Sequence, residues 1–498
     1  MKKRVLVGIS LLFVIISCYK IPPIETIKTN SPVKTRTLLI ALDGVDYDLV
    51  KELKDEGHFQ NFLEPVPLLS TFPSDTTVGF TGILRPLGVD KIQGYESQFY
   101  SYEDNKIKGG TLFDIHTIPL EYKRYFDSFR HQIHEKAIMY IWPGAAGKRD
   151  LINSEKILYD SPKNIVMTYV GGTDGFSHIL GRNRTKRFLI FMDQFLIRMQ
   201  TRYEKKRQEK LKIVLYSDHG FHHENLKSVS FGEFKRRLQK KGFRFRKSLE
   251  KDKDIVAVSY GLLSAGVMFT KEKHRAEIAE TLRKTKGIDL VFWHEGNKKE
   301  IFVLNHEGKL AKFEYRSKKL YRYVTLTGNP LRYSEKYWDP WGGGRRRVRH
   351  GAEDEARTLD RSSNSSTESE HHGKPETDRT PKGSIFQKVQ KSPWLSDKTW
   401  FQLTYDHEYP DVGYRLYDSF FDLVQNPASL MFSTKKNYHY GSFSAKLGVT
   451  AKFGHKGTHG GIFRSTTWGV FMTTSSFKKL PKALRYDEMF PQILDCKR

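Results

Sequence analysis

"LKIVLYSDHG", residues 211–220, is an apolar run that ends in Asp218, His219 and Gly220. A short apolar stretch closed by turn-forming residues reads as a buried strand, here carrying a carboxylate and an imidazole at its C-terminal end. "RTLLIALDG" (36–44) has the same form and ends in Asp43 and Gly44. "KNIVMTYVGGTDG" (163–175) repeats the pattern and brings Asp174. Between them, "VDYDLVKELKDEG" (45–57) has helical spacing with a glycine stop, and "RTKRFLIFMDQFLIRMQTRYEKKRQEK" (184–210) reads as an amphipathic helix. Strand–helix–strand alternation predicts an α/β fold, a mostly parallel central sheet sandwiched by helices. In such sheets the working site lies beyond the strand C-termini, so Asp43, Asp174 and Asp218 are expected at one edge.

The chain of 498 residues has room for one large domain with an insertion, or for two domains. The N-terminal "MKKR" followed by "VLVGISLLFVIIS" has the shape of an export signal. Its apolar part, about 13 residues, is too short to span a bilayer. Ile15-Ile16-Ser17-Cys18 resembles a bacterial lipobox, which makes Cys18 the expected lipidation site and 1–17 a lipoprotein signal peptide. The expected location is the bacterial cell envelope, with the protein held to a membrane through that lipid and facing the periplasm or exterior. With Cys18 acylated, Cys496 has no partner for a disulfide. Residues 18–35 read as a tether, 36–225 as the first part of a catalytic core, and 226–341 as an α+β insertion or cap. In that insertion "HRAEIAETLRKTKG" (274–287) reads as a helix and "DLVFWHEGNKKEIFVLNHEGKLAKFEYRS" (289–317) as hairpin strands. Residues 342–384 lose their aromatics and become rich in Arg, Ser and Glu, so they read as a disordered linker or as the product of a local frameshift; 385–498 form the second part of the core.

Net charge is +27, yet Lys and Arg are scattered and no nucleic-acid-binding motif is present. The basic surface instead suits anionic substrates or anionic headgroups, and no specific nucleic-acid recognition is expected.

Asp218-His219 offers oxygen and nitrogen ligands suited to Zn²⁺ or a similar divalent ion. "DGFSH" (174–178) places Asp174 and His178 four apart, on one face of a helical turn. "GTHGG" (457–461) sets His459 between glycines, and Asp43 completes the inventory. Two metals call for about seven or eight ligands, leaving a place for substrate. A Ser or Thr hydroxyl would complete the set and become a nucleophile. "LLSTFPSDTTVG" (68–79) offers five such hydroxyls.

"LLIALDG", "FPSDTT", "DGFSH", "YSDHG" and "GTHGG" follow the order and spacing of the alkaline phosphatase superfamily, and the chain resembles its type I phosphodiesterase/nucleotide pyrophosphatase family. The resemblance covers roughly 36–225 and 440–480. It implies an α/β sandwich and two divalent metals, zinc in type. One metal falls to Asp174, His178 and His459, the other to Asp43, Thr76, Asp218 and His219. It also implies that Thr76 attacks a phosphate ester, of diester or pyrophosphate type, in a two-step displacement. Val78-Gly79 stand where the family has Pro-Asn, and a second alignment selects Thr71. Thr76 is favoured because it precedes the helix-like "TVGFTGIL", where the Thr77 N–H could meet phosphate. His455 is an alternative to His459, whereas His222 and His223 read as surface or cleft residues and His371 and His372 as part of the linker. No Cys-x-Pro-x-Arg or Ser-x-Pro-x-Arg run is present to suggest a sulfatase. Phosphomonoesterase and phosphoglycerol transferase activities stay open, as does a non-catalytic surface lipoprotein that binds anionic ligands.

Overall fold

The computed structural model describes residues 35–96, 98–109, 120–128, 139–258, 261, 263–296, 299–334, 391–441, 455–475 and 480–494. The signal peptide, Cys18, almost all of the tether and the 342–384 segment lie outside the described residues.

Two sheets organise the chain. The first has six strands, in the order Leu484–Arg485, Val66–Leu69, Trp468–Thr473, Lys210–Ser217, Thr35–Leu42, Ile165–Val170. Thr35–Leu42 runs parallel to both Lys210–Ser217 and Ile165–Val170, with Leu42 opposite Ser217 and Val170. Trp468–Thr473 is antiparallel to its two neighbours. The three parallel strands therefore end level with one another, just before Asp43, the Gly171–Gly175 turn and Asp218.

The apolar runs are continuous because these strands are covered on both faces. Leu39, Ala41, Val214 and Tyr216 point into one core, whereas Leu38, Ile40, Leu42, Ile213 and Leu215 point into another. The second core is closed by helices Tyr47–Asp55, Pro143–Asp160 and Arg182–Arg207. The last of these presents Phe188, Leu189, Met192, Leu196, Met199 and Tyr203 at helical spacing. At roughly 1.5–3 kcal/mol for each large apolar side chain buried, both layers contribute heavily to stability.

The first core is shared with helix Thr76–Leu84 and with a nine-stranded sheet. That sheet contains the expected hairpins, Ile288–Glu295, Glu300–Asn305 and Leu310–Ser317, paired antiparallel. It also takes in Leu430–Thr434, inserted between Ala265–Phe269 and Ile288–Glu295, and Leu395–Ser396 at its edge. Strands from both sides of the 342–384 segment thus lie in one sheet. Helices Phe231–Lys240 and Arg275–Leu282 cover its far face. Among the described residues no helix is long and apolar enough to cross a membrane.

Candidate active site

At the strand ends two groups of ligands gather: Asp174, His178 and His459, and Asp43, Asp218 and His219, all buried. They come from four separate loops. Asp174 lies in the short helix Gly172–Gly175, which widens into a π-helical turn over Phe176–Leu180 and sets His178 Nε2 3.2 Å from Asp174 Oδ1. His459 Nε2 is 3.8 Å from the same oxygen. In the other group His219 Nε2 lies 3.5 Å from Asp43 Oδ1 and 3.6 Å from Asp218 Oδ2. The His219 and His459 rings stack at 4.0 Å between centroids, so the two groups adjoin.

The five hydroxyls of 68–79 separate by partner. Ser70 donates to the Asp218 carbonyl, Thr71 to the Pro73 carbonyl, and Ser74 to the Gly461 carbonyl. The Thr77 N–H, expected to face phosphate, is taken by Asp75, the N-cap of helix Thr76–Leu84, because a free N-terminal N–H finds the nearest side-chain oxygen. The Thr77 hydroxyl pairs with Tyr122, which leaves Thr76 as the one of the five that points into the cluster. Its Oγ1 donates to Asp43 Oδ1 at 3.0 Å and lies 3.4 Å from His219 Nε2.

The residues fit divalent cations on several counts. Tetrahedral ligands held about 2.1 Å from a zinc ion stand about 3.4 Å apart, and the histidine-to-carboxylate separations within the two groups bracket that value, at 3.2 to 3.8 Å. Each imidazole turns Nδ1 toward a backbone carbonyl: His178 to Gly457, His219 to Gly220 and His459 to Ser74, at 3.0, 2.9 and 2.9 Å. A carbonyl only accepts, so Nδ1 carries the proton and Nε2 presents its lone pair to the cluster when the ring is neutral. Each carboxylate is anchored by one oxygen. Asp43 Oδ2 accepts from Tyr169, Asp174 Oδ2 from Tyr140 at 2.9 Å, and Asp218 Oδ1 from the Gly44 and His219 N–H groups. Asp174 Oδ1 and Asp218 Oδ2 are buried and accept no hydrogen bond among the described residues. Orphaned buried carboxylate oxygens are costly, and a cation would satisfy them.

Electrostatics point the same way. Burial, then the charge of Asp174, raises Asp43. Burial pushes Asp218 up to about 8 against the attraction of His219. Burial opposes charge on His219, but Asp218 and Asp43 outweigh it and carry the ring up to about 10. In the other group burial would raise Asp174, yet His178 and then His459 hold it below the usual carboxylate range. Burial and the charge of His219 keep His459 well below its ordinary value. Without a cation, protons do part of the work of holding these acids together.

Among the described residues, His222, His223, His439 and His455 belong to neither group, although His439 and His455 feel the charge of His178. His455 packs on His439, 5.3 Å between ring centroids, and His223 Nε2 meets Asp46 Oδ2 at 3.2 Å. His222 Nδ1 faces Ser465 Oγ at 3.0 Å. Sequence reasoning missed Tyr140, Tyr169 and Ser74, because support of a ligand through a distant strand or loop leaves no local pattern.

No protein-family model matches the chain, and no curated protein does. Among solved structures, phosphonoacetate hydrolase from Sinorhizobium meliloti 1021, in complex with phosphonoformate, is similar at 12% identity and a TM-score of 0.47, over 95% of this chain and 98% of that one. Human ectonucleotide pyrophosphatase/phosphodiesterase 5 is similar at 11% identity and a TM-score of 0.44, over 93% and 95% of the two chains. The inactive murine counterpart in complex with AMP has 10% identity and a TM-score of 0.41, over 93% and 96%.

Proposed function

We propose that this protein is a hydrolase of phosphate esters, of the phosphodiester or nucleotide pyrophosphate type, with two divalent metals and Thr76 as nucleophile. The carrying observation is the position of Thr76 Oγ1 between Asp43 Oδ1 and His219 Nε2, beside a second ligand group. Asp174, His178 and His459 would hold one cation, and Asp43, Asp218, His219 and Thr76 the other, with zinc suited to this nitrogen and oxygen set. Bound cations would lower the pKa of the attacking hydroxyl and offset charge on the transferring phosphoryl group.

The chain's own residues supply the rest. Thr76 Oγ1 forms a bond to phosphorus as the bond to the leaving oxygen breaks, and its proton ends on the leaving alcohol or phosphate. Water then attacks the phosphothreonine, releases the phosphoryl product and returns a proton to Thr76. Tyr140 and Tyr169 fix the two carboxylates, and the three Nδ1–carbonyl bonds fix the imidazoles. Helix Thr76–Leu84, capped by Asp75, holds the nucleophile at its first residue. Export and anchoring through Cys18 are part of the same proposal and rest on the N-terminal sequence.

The test is a panel of aryl phosphodiester, aryl phosphomonoester and nucleotide pyrophosphate substrates, with added Zn²⁺, Mn²⁺ or Mg²⁺. Two ions bound per chain with metal-dependent diester cleavage support the proposal. A folded, metal-loaded protein inert on every substrate supports the binding-lipoprotein reading instead.

A further inference from the structure

Arg415, in helix Val412–Tyr417, is 1% exposed, and its guanidinium meets no carboxylate. Nε donates to the Ser70 carbonyl at 2.8 Å, and Nη2 to the Thr71 carbonyl at 2.9 Å and to Ser74 Oγ at 3.2 Å. Nη1 donates to the carbonyls of Ile462 at 3.0 Å and Pro410 at 3.2 Å. The neighbouring Asp411 is held instead by Arg485 Nε at 2.6 Å. A buried cation with only neutral acceptors is expensive to hold away from water. Its planar fork nevertheless spans three chain segments, which a lysine cannot do.

The segments it joins are those of the candidate site. Ser70–Ser74 leads into Thr76, and Ile462 closes the loop that carries His459. Ser74 lies where they meet: its carbonyl accepts from His459 Nδ1 at 2.9 Å, and its hydroxyl donates to the Gly461 carbonyl at 2.9 Å. We infer that Arg415 is a positioning residue, which registers the Thr76 loop against the His459 loop and so sets the two ligand groups at working separation. The inference rests on the proposed hydrolase chemistry for its kinetic consequence, and on the two ligand groups alone for its effect on metal binding.

The experiment measures Zn²⁺ affinity of the full chain by equilibrium dialysis, in a His219→Ala background for the His459 group and in a His178→Ala background for the other. Arg415→Lys keeps the charge and loses the fork. It should weaken the His459 group about ten- to hundredfold, as loss of support behind a ligand does, and the other group, which loses only the placement of Thr76, by less than about fivefold. On an aryl phosphodiester, kcat should fall about a hundredfold with KM nearly unchanged, the effect of an ångström-scale misplacement. Ser74→Ala should reproduce the selective loss of affinity, and adding it to Arg415→Lys should lower kcat little further. Unchanged affinity in both backgrounds overturns the inference. So does parallel weakening of both groups with a fall in Tm, which marks a merely structural arginine. If Arg415→Lys fails to fold, Ser74→Ala decides by the same affinities. If the parent chain binds two ions and cleaves nothing, the proposed function fails while the affinity comparison still judges Arg415.

Discussion

The two ligand groups should differ in how protons compete with metal. At pH 7, Asp218, pushed up to about 8, and His219, carried up to about 10, both hold protons that a cation must displace. Loading the Asp43–Asp218–His219 group should therefore release about two protons, and its apparent affinity should rise about a hundredfold per pH unit below pH 8. With each pKa unit worth about 1.4 kcal/mol, that is on the order of 3 kcal/mol of binding energy per pH unit. Asp174 and His459 are both shifted downward and have no proton to give up near neutrality. Acidification should thus empty the Asp218 group first. Folding stability of the metal-free chain carries the same signature. Asp218 contributes fully below its ordinary 3.8, and loses that contribution as pH rises through about 8. His219 contributes fully below 6.5 and loses it through about 10. His459, held well below its ordinary value, opposes both up to about 6.5, so the contribution of Asp218 and His219 to the metal-free Tm should show as a fall between about pH 6.5 and 10, reduced when metal is bound. Calorimetric Zn²⁺ titration in buffers of different ionisation enthalpy counts the protons directly, using the His178→Ala and His219→Ala backgrounds to separate the groups. Release of fewer than one proton by the Asp218 group at pH 7, or equal pH slopes for the two groups, refutes the reasoning.

Thr76→Ala should lower diester cleavage by a factor of about a thousand or more while both ions stay bound. Thr71→Ala, which removes a hydroxyl bonded to the Pro73 carbonyl and a buried methyl, should keep activity and cost about 1–3 kcal/mol in denaturant unfolding; the opposite pattern would make Thr71 the nucleophile. Tyr169→Phe and Tyr140→Phe each free one carboxylate oxygen and should weaken metal binding about tenfold, read by dialysis. Gly79→Ala places a Cβ 3.0 Å from the Asp218 carbonyl, so helix Thr76–Leu84 must move off the strand end. The expected result is a larger loss in kcat than in Tm, and an unchanged kcat would show that Thr76 tolerates the shift.

Where a residue's role depends on its own segment, the sequence made it legible. Strands buried on both faces must be apolar throughout, so Leu38–Leu42 and Ile213–Tyr216 declared themselves, and the polar residue ending each run marked the shared edge. His459 was legible for a similar reason, since a Cβ at Gly457 would meet the His222 carbonyl and Gly460 takes a positive φ beside Leu263. The nine-stranded sheet was only half visible. Its hairpins are local, but Leu430–Thr434 enters between strands more than a hundred residues upstream, and no local pattern encodes that pairing. The long-range supports were invisible altogether. Tyr169 faces Asp43 from a neighbouring strand, and Arg415 reaches Ser70 and Thr71 across 345 and 344 positions of chain.

That distance bears on the anomalous stretch at 342–384. The residues beyond it supply His459, the Trp468–Thr473 strand that pairs with both Val66–Leu69 and Lys210–Ser217, and the Arg415 contacts to the nucleophile loop. Trp400 is buried against Tyr321, their rings stacked nearly parallel with centroids 5.6 Å apart, and its indole donates to the Tyr321 carbonyl. Such packing requires that the reading frame after residue 391 be the one that built the core before 334. Any shift of frame must therefore be confined to the intervening stretch and restored within it. Replacing 342–384 by a Gly/Ser linker of equal length should leave Tm and metal stoichiometry unchanged. A chain that then fails to fold or to load metal would show that the stretch, whatever its composition, makes contacts the core depends on.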